Sequence, residues 1–270
     1  MKNIITPDFI SLTTLHLHFC FNETDLVISS GTGFIYKCDD IYYLITNWHN
    51  VAGRDPNTGR CLSESLATPD VITTLFRSHN NPGSGVRKEI ELYKNSHNSE
   101  PLWFEHPEHG NKVDVVAIPL KKGIENEHHI FPINEVEFDD EYKSEVSDDV
   151  YVIGYPFFEI TYAQLPIWKK GSIASEPDIN IDQQPKFLID TATRSGLSGS
   201  PVIMQRIGIH GLIDGKMLGD STIGRIRNFV GIYSGRVGQG EFKAQLGIVW
   251  KQCVIDEIIK GNKHGANPIL

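Results

Sequence analysis

The stretch Ser195-Gly196-Leu197-Ser198-Gly199-Ser200-Pro201 places one hydroxyl between two glycines in a run of small residues. A serine nucleophile needs a base to take its proton, and it needs backbone that can turn N–H groups toward a developing oxyanion. Glycine allows that turn without strain from a Cβ atom. The stretch therefore indicates either a nucleophilic serine, Ser198, or an ordinary Gly/Ser turn between strands.

Two other stretches supply the partners that a catalytic serine requires. An apolar run that starts at Tyr43 leads to His49, and Asp114 opens an apolar run that continues to Leu120. In a Ser-His-Asp triad the histidine is the general base and the aspartate orients it. The chain order is histidine, aspartate, serine, which differs from the order in α/β-hydrolases. We therefore predict a triad of His49, Asp114 and Ser198, against the alternatives of a histidine at a strand end and an aspartate that caps a turn.

These stretches resemble the motifs of the trypsin/chymotrypsin superfamily of serine proteases, and most closely its bacterial HtrA-type branch. The matching positions are Thr46 to His49, Asp114 to Ala117, and Asp190 with Gly196, Ser198, Gly199 and Pro201. The resemblance extends roughly from Gly31 to Trp250, although only these motifs are specific. The chain departs from the family pattern at Trp48, which we expect at the rim of the cleft, at Leu197 and at Ser200.

Many short apolar runs separated by turn residues predict an all-β, antiparallel architecture. The resemblance implies its arrangement, which is two packed six-stranded antiparallel β-barrels of the chymotrypsin-like kind with the cleft between them. Residues 1–134 are expected to form the N-terminal barrel that carries His49 and Asp114. Residues 150–249 are expected to form the C-terminal barrel that carries Ser198.

The remaining segments are predicted from charge and periodicity. Residues 135–149 are rich in acids and are expected to form a connection between the barrels with a solvated acidic face. Residues 250–270 are expected to form a C-terminal helix and tail, because apolar residues recur there at helical spacing. Those apolar residues are Val254, Ile255, Ile258 and Ile259.

The resemblance also implies how a substrate would be held. The N–H groups of Gly196 and Ser198 would form the oxyanion hole. Ala192 and Thr193 would line the base of the specificity pocket, and Ser234 would lie in the strand that pairs with the substrate. Neither Ala192 nor Thr193 carries the acid that recruits Arg or Lys, so the predicted preference is for small or medium apolar side chains.

Composition restricts the partners and the compartment. The net charge is −9, from 34 acidic and 25 basic residues, which argues against a nucleic-acid surface. No apolar run reaches ~18 residues, so no membrane span is expected, and the N-terminus does not resemble a secretory signal. The four cysteines are scattered and are expected to be free thiols in a reducing cytosol, so a cytoplasmic location is predicted.

No cofactor and no metal are expected. The histidine pairs are interpreted as surface-loop residues, because no nearby cysteine or acid cluster supplies closed ligand spacing; the pairs are His106 with His109 and His128 with His129. The expected partner is a peptide or protein substrate. A regulatory partner protein is also expected, because the chain shows no segment for trypsin-type activation and no room for an appended PDZ-type domain. The alternative function is a protease fold that binds peptides or proteins with an idle triad.

Overall fold

The computed structural model describes most of the chain, and all structural statements concern the described residues. These residues are 6–21, 26–63, 66–79, 84–94, 100–156, 165–192, 194–211, 216–217, 221–237 and 246–268. They form two antiparallel sheets with a few short helices. No helix among these residues has both the length and the apolar character needed to cross a membrane.

Most elements of the described chain are strands, and the helices between them are short. The strands are β1 (Thr14–Phe21), β2 (Leu26–Cys38), β3 (Ile41–Thr46), β4 (Val71–Ser78), β5 (Gly85–Glu91), β6 (Phe104–Glu105), β7 (Val116–Pro119), β8 (His128–His129), β9 (Asp149–Gly154), β10 (Ile167–Ile173), β11 (Lys186–Asp190), β12 (Pro201–His210), β13 (Thr222–Arg236), β14 (Leu246–Lys251) and β15 (Lys263–His264). The α-helices are α1 (Phe9–Thr13), α2 (Trp48–Ala52), α3 (Ile124–Glu127) and α4 (Cys253–Gly261), and a 3-10 turn covers Ile133–Glu135.

The first half of the chain forms a sheet in the order β15-β6-β7-β3-β2-β1-β4-β5, with β8 beside β4. In β1, Leu15, Leu17 and Phe19 are buried while His16 and His18 are half-buried, and this alternation ends at Cys20, which is buried as well. Three of the nine strands contain only two residues. The longer strands are β1 to β5 and β7.

The second half closes into a six-stranded barrel in the order β10-β11-β14-β13-β12-β9. Each neighbouring pair is antiparallel. The predicted chymotrypsin-like, all-β architecture with a C-terminal helix is therefore confirmed. The sheet of the first half is open and does not close into a barrel. In its hydrogen-bonded order β5 is an end strand and does not pair with β7.

The C-terminal helix α4 returns to the first half of the chain. The four apolar residues predicted for its inner face are all buried, and after the helix β15 pairs with β6. Asn262 ends the helix in the left-handed conformation (φ 46°), where its N–H group donates to the carbonyl of Ile258 at 3.1 Å. Trp250, predicted at the start of the helix, lies instead in β14, because the barrel strand continues to Lys251.

The two halves share one apolar core. Phe34 of β2 and Phe229 of β13 meet edge to face, with ring centroids 5.5 Å apart. Trp250 and the apolar face of α4 belong to the same buried cluster. Burying apolar side chains from both sheets in one cluster fixes how the sheets pack together, and the cleft between them is set by this packing.

Two acids of the stretch between the sheets bind residues of the second sheet. Asp148 is buried and pairs with the guanidinium of Arg206, and the carboxylate of Asp139 accepts a hydrogen bond from the N–H group of Arg227 at 2.7 Å. Both arginines belong to the second sheet. Most acids of the stretch are exposed, as expected for a solvated face, whereas Asp148 departs from that expectation because it is buried against a cation of the barrel.

Candidate active site

His49 lies in the one-turn helix α2, where the sequence predicted the end of a strand. The strand β3 ends at Thr46, and Asn47 precedes the helix in extended conformation. Gly53 ends the helix at φ 63°, and its N–H group donates to the carbonyl of His49 at 3.0 Å. Glycine adopts this left-handed conformation at little cost. The tight turn presents the His49 side chain directly after β3.

Asp114 is buried beside His49 and binds it twice. One carboxylate oxygen, Oδ2, lies 2.7 Å from His49 Nδ1, and the other, Oδ1, accepts the His49 backbone N–H at 2.8 Å. Ser234 Oγ also donates to Oδ2, at 2.5 Å, and the carbonyl of Asp114 accepts the side-chain amide of Asn47 at 2.7 Å. These bonds fix the carboxylate so that it orients the imidazole through Nδ1, leaving Nε2 for another partner.

The electrostatics of this pair favour a charged imidazole. Burial alone would lower the pKa of His49, but the carboxylate of Asp114, its hydrogen bond to the ring and the more distant Asp55 raise it more. The net result is a pKa above its ordinary 6.5. A histidine in this setting accepts a proton more readily than one in water, which suits a general base.

Ser198 lies between two glycines whose backbone φ angles are positive. Gly196 has φ 94° and Gly199 has φ 86°. A Cβ atom on Gly196 would lie 2.3 Å from the carbonyl oxygen of Tyr155, and one on Gly199 would lie 2.1 Å from that of Thr32. Both positions therefore exclude any larger residue. Ser198 itself is half-buried, and the Leu197 side chain before it points into the core of the barrel.

Two residues that sequence reasoning missed, Thr32 and Asn50, connect this loop to the first sheet. The N–H group of Thr32 donates to the Ser198 carbonyl at 2.8 Å, and Thr32 Oγ1 donates to the Gly196 carbonyl at 2.8 Å. Asn50, which follows His49, donates from Nδ2 to the same Ser198 carbonyl at 3.3 Å. The structure thus brings the serine loop against the helix that carries His49. The adjacency of Asn50 to His49 was the one available signal in the sequence.

Two amides of the loop have no acceptor among the residues that the structure describes. In the described part of the chain, no hydrogen bond engages the N–H groups of Gly196 or Ser198. Nor does a hydrogen bond join the Ser198 hydroxyl to His49 among these residues. Catalytic hydrogen bonds are often long without a substrate and tighten in the complex. The arrangement thus has two donors beside Ser198 and a general base on the neighbouring helix.

The structure places the predicted substrate-binding residues in different surroundings. Ser234 is brought into the site, where its hydroxyl binds Asp114. Ala192 is exposed, and Thr193 lies outside the described residues. Trp48, expected at the cleft rim, is instead buried in the core of the first sheet, with Nε1 donating to Glu105 at 2.8 Å. Its position in α2 turns it away from the rim, so that expectation is wrong.

The histidines considered as surface-loop residues are partly buried. His106 is buried with Nε2 2.8 Å from Glu257, and its ring stacks on that of His109. His128 is buried against Phe76, with ring centroids 5.6 Å apart. Over the described ranges, no group of three or more His, Cys, Asp or Glu side chains could hold a metal ion.

Comparison with known proteins identifies the family. The sequence profile described as Trypsin-like peptidase domain matches residues 31–211, which is more than half of the chain. This chain belongs to the trypsin-like peptidase family. The matched part of the trypsin-like domain includes all three predicted triad residues. No curated protein sequence matches the chain.

Two solved structures are similar to this trypsin-like domain. The HtrA-type protease AlgW, solved as a variant with a tripeptide, has a TM-score of 0.50 at 13% identity; the match covers 94% of this chain and 63% of that one. The chain therefore spans less than two thirds of that protein's length. The active form of the Rv3671c protease from M. tuberculosis has a TM-score of 0.49 at 16% identity, covering 96% of this chain and 86% of that one.

Proposed function

We propose that this trypsin-like domain is a serine endopeptidase that cleaves peptide bonds through His49, Asp114 and Ser198. The observation that carries the proposal is the Asp114 carboxylate, which binds both the ring and the backbone of His49, while Ser234 donates to the same oxygen that faces the ring. A buried aspartate held in this way has a direct use in orienting a base. The alternative of an aspartate that only caps a turn does not explain the bond to the imidazole.

The proposed reaction is acyl transfer in two steps. Ser198 Oγ attacks the substrate carbonyl while His49 Nε2 takes its proton, and the imidazolium then gives that proton to the leaving amine. The N–H groups of Gly196 and Ser198 would receive the oxyanion, a contribution of ~3–4 kcal/mol for one donor in other proteases. Water then hydrolyses the acyl-enzyme by the same route, with His49 again as base.

A cleavage assay tests the activity. Purified protein is incubated with a peptide library derived from a proteome, alongside Ser198→Ala and His49→Ala variants. The expected result is new peptide termini with the parent protein and none with either variant, because each variant lacks a group that takes part in proton transfer. Identical termini from the parent and Ser198→Ala would overturn the proposal.

We further propose that the enzyme works in a reducing compartment as a regulated effector. The four cysteines, Cys20, Cys38, Cys61 and Cys253, are all free thiols, as is usual in the cytosol. The positive φ of Gly196 makes the orientation of its amide sensitive to the conformation of the loop. A partner protein that binds only the formed oxyanion hole would therefore raise the activity of the isolated chain.

The competing function is a binding module that uses the same cleft with an idle triad. The absence of a hydrogen bond between the Ser198 hydroxyl and His49, within the described residues, is the observation that favours it. One measurement distinguishes the two functions. Peptides retained by the parent protein without cleavage would favour the module, whereas turnover that disappears in Ser198→Ala favours the enzyme.

A further inference from the structure

Glu105 is a buried carboxylate that the proposed reaction does not use. It lies in β6 and is only 4% exposed. Its Oε1 atom accepts two indole N–H groups, from Trp48 at 2.8 Å and from Trp103 at 3.1 Å. A carboxylate is costly to remove from water unless hydrogen bonds replace its hydration. The two indoles provide such bonds, and one of them belongs to the residue that precedes His49.

The segment that follows α4 covers the same carboxylate. Strand β15 pairs with β6 and places Lys263 opposite Glu105. The Gly265 N–H group then donates to the Trp103 carbonyl at 3.0 Å. A Cβ atom on Gly265 would lie 2.8 Å from Glu105 Oε1, so the backbone approaches the carboxylate closely and leaves no room for a side chain. The Ala266 N–H group donates to Glu105 as well.

The surroundings of Glu105 favour its charged form despite its burial. Burial raises the pKa of the carboxyl above its ordinary 4.5. The two indole N–H groups oppose this rise most, followed by the charge of Lys263 and the Ala266 N–H group. The donors around Glu105 thus match an acceptor carboxylate, and they hold it in one place.

Helix α2 has little stability of its own. It is a single turn, and helices of this length are unstable in isolation. At the candidate active site, Asp114 binds the ring and the backbone N–H group of His49. Away from that site, Trp48 is packed in the core of the first sheet and binds Glu105. The direction of the His49 side chain therefore depends on both carboxylates.

We propose that Glu105 is a positioning residue for His49 and that it acts through the Trp48 indole. The proposal rests on the proposed peptidase function, because it concerns the base of that reaction. Trp48 is a position at which the chain departs from the family pattern, so this anchor is additional to the triad. Glu105 fixes the helix from which His49 reaches Ser198 and does not itself act on a reacting atom.

A matched pair of variants tests the positioning role by kinetics. Trp48→Phe and Trp103→Phe each remove one indole donor from the same Glu105 oxygen, and both side chains are buried. Only Trp48 lies on the helix of His49. We expect Trp48→Phe to lower kcat about tenfold and to change KM less than about twofold, because a displaced base slows the chemical step more than binding. Trp103→Phe should lower kcat less than about twofold, although urea unfolding should show a similar loss of stability.

A signal from His49 itself tests the proposal without a substrate. The Nδ1 proton is visible by NMR while its bond to Asp114 protects it from exchange with water. This proton should exchange about tenfold faster in Trp48→Phe than in the parent, because a weaker anchor lowers the free energy of local opening. In Trp103→Phe it should exchange at the parent's rate. If the parent cleaves no peptide, the proposed function fails, while this comparison still decides whether Glu105 positions His49.

Variants of Glu105 provide a second test if Trp48→Phe does not fold. Glu105→Leu removes the acceptor, whereas Glu105→Gln keeps an uncharged one whose bonds are about half as strong. The loss in kcat and the faster Nδ1 exchange should therefore be larger in Glu105→Leu than in Glu105→Gln. Equal effects of Trp48→Phe and Trp103→Phe would overturn the proposal. Parental kcat and parental Nδ1 exchange in a folded Glu105→Leu variant would overturn it as well.

Discussion

The backbone N–H of Thr32 lies 2.8 Å from the carbonyl oxygen of Ser198, and this bond joins the two halves of the chain at the candidate nucleophile. The side chain of Thr32 makes two further bonds, to the Gly196 carbonyl and from the Tyr155 N–H group. Its own carbonyl accepts the Thr46 hydroxyl at 2.8 Å. One buried threonine therefore aligns the serine loop with the sheet that leads to His49.

Thr32→Val should destabilise the protein and slow the reaction. Valine has the same shape but leaves the Gly196 carbonyl and the Tyr155 N–H group without their partner, which costs about 1–3 kcal/mol of the free energy of unfolding. A displaced loop should lower kcat about ten- to hundredfold. Urea unfolding and steady-state kinetics measure both effects. Thr32→Ser keeps the hydroxyl and serves as control; a loss in the serine variant as large as in the valine variant would contradict this role.

Asp114→Asn should reduce kcat by roughly 10⁴, the effect of the equivalent change in a well-studied triad. An amide at this position donates to the imidazole and stabilises the wrong tautomer, while the shape of the site is kept. The measurement is kcat on a purified variant whose thermal unfolding matches the parent. A loss of less than tenfold would mean that another acid orients His49.

The pH dependence of kcat/KM follows from the raised pKa of His49. Only the neutral imidazole can take the proton from Ser198, so activity is lost as pH falls through that pKa. Because the pKa is raised by Asp114, the acidic midpoint should lie above 6.5 in the parent. In Asp114→Asn the burial remains and the carboxylate is gone, so the midpoint should move below that of the parent. Equal midpoints would show that Asp114 does not act on His49.

The three residues proposed as a triad stand out in the sequence because each one lies in a short local pattern. His49 follows an apolar strand, Asp114 precedes one, and Ser198 lies between glycines. The six-stranded second barrel was predictable from its strand and turn signals together with the family resemblance. The period-two pattern of β1 predicts burial correctly from Leu15 to Phe19 but not at Cys20, which is buried although it alternates with Phe19.

The remaining features depend on contacts between distant segments. Thr32 is separated from Ser198 by most of the chain, and nothing near Thr32 indicates that its hydroxyl binds the loop. The size of Trp48 favours a place at the rim, but the turn of α2 directs its side chain to Glu105. Likewise the periodicity of α4 predicts a buried face without saying that it packs on the first sheet.

Specificity is predicted from the residues before the serine loop. Ala192 is exposed and uncharged, and with Thr193 it would line the pocket without an acid. We therefore expect cleavage after small or medium apolar side chains, because a buried Lys or Arg would lack a carboxylate partner. Cleavage-site profiling of the proteome-derived library measures this. Strict cleavage after Arg or Lys would refute the prediction.

The central claim is that His49 activates Ser198, and labelling with a fluorophosphonate probe tests it most directly. The probe reacts covalently only with a serine whose proton is taken by a base. The account predicts a single adduct on Ser198, located by peptide mass spectrometry, and its loss in His49→Ala with Thr32→Ser still labelled. Labelling of Ser198 that is unchanged in a folded His49→Ala variant, or the absence of any adduct in the parent with or without a cleavable peptide, would contradict the account.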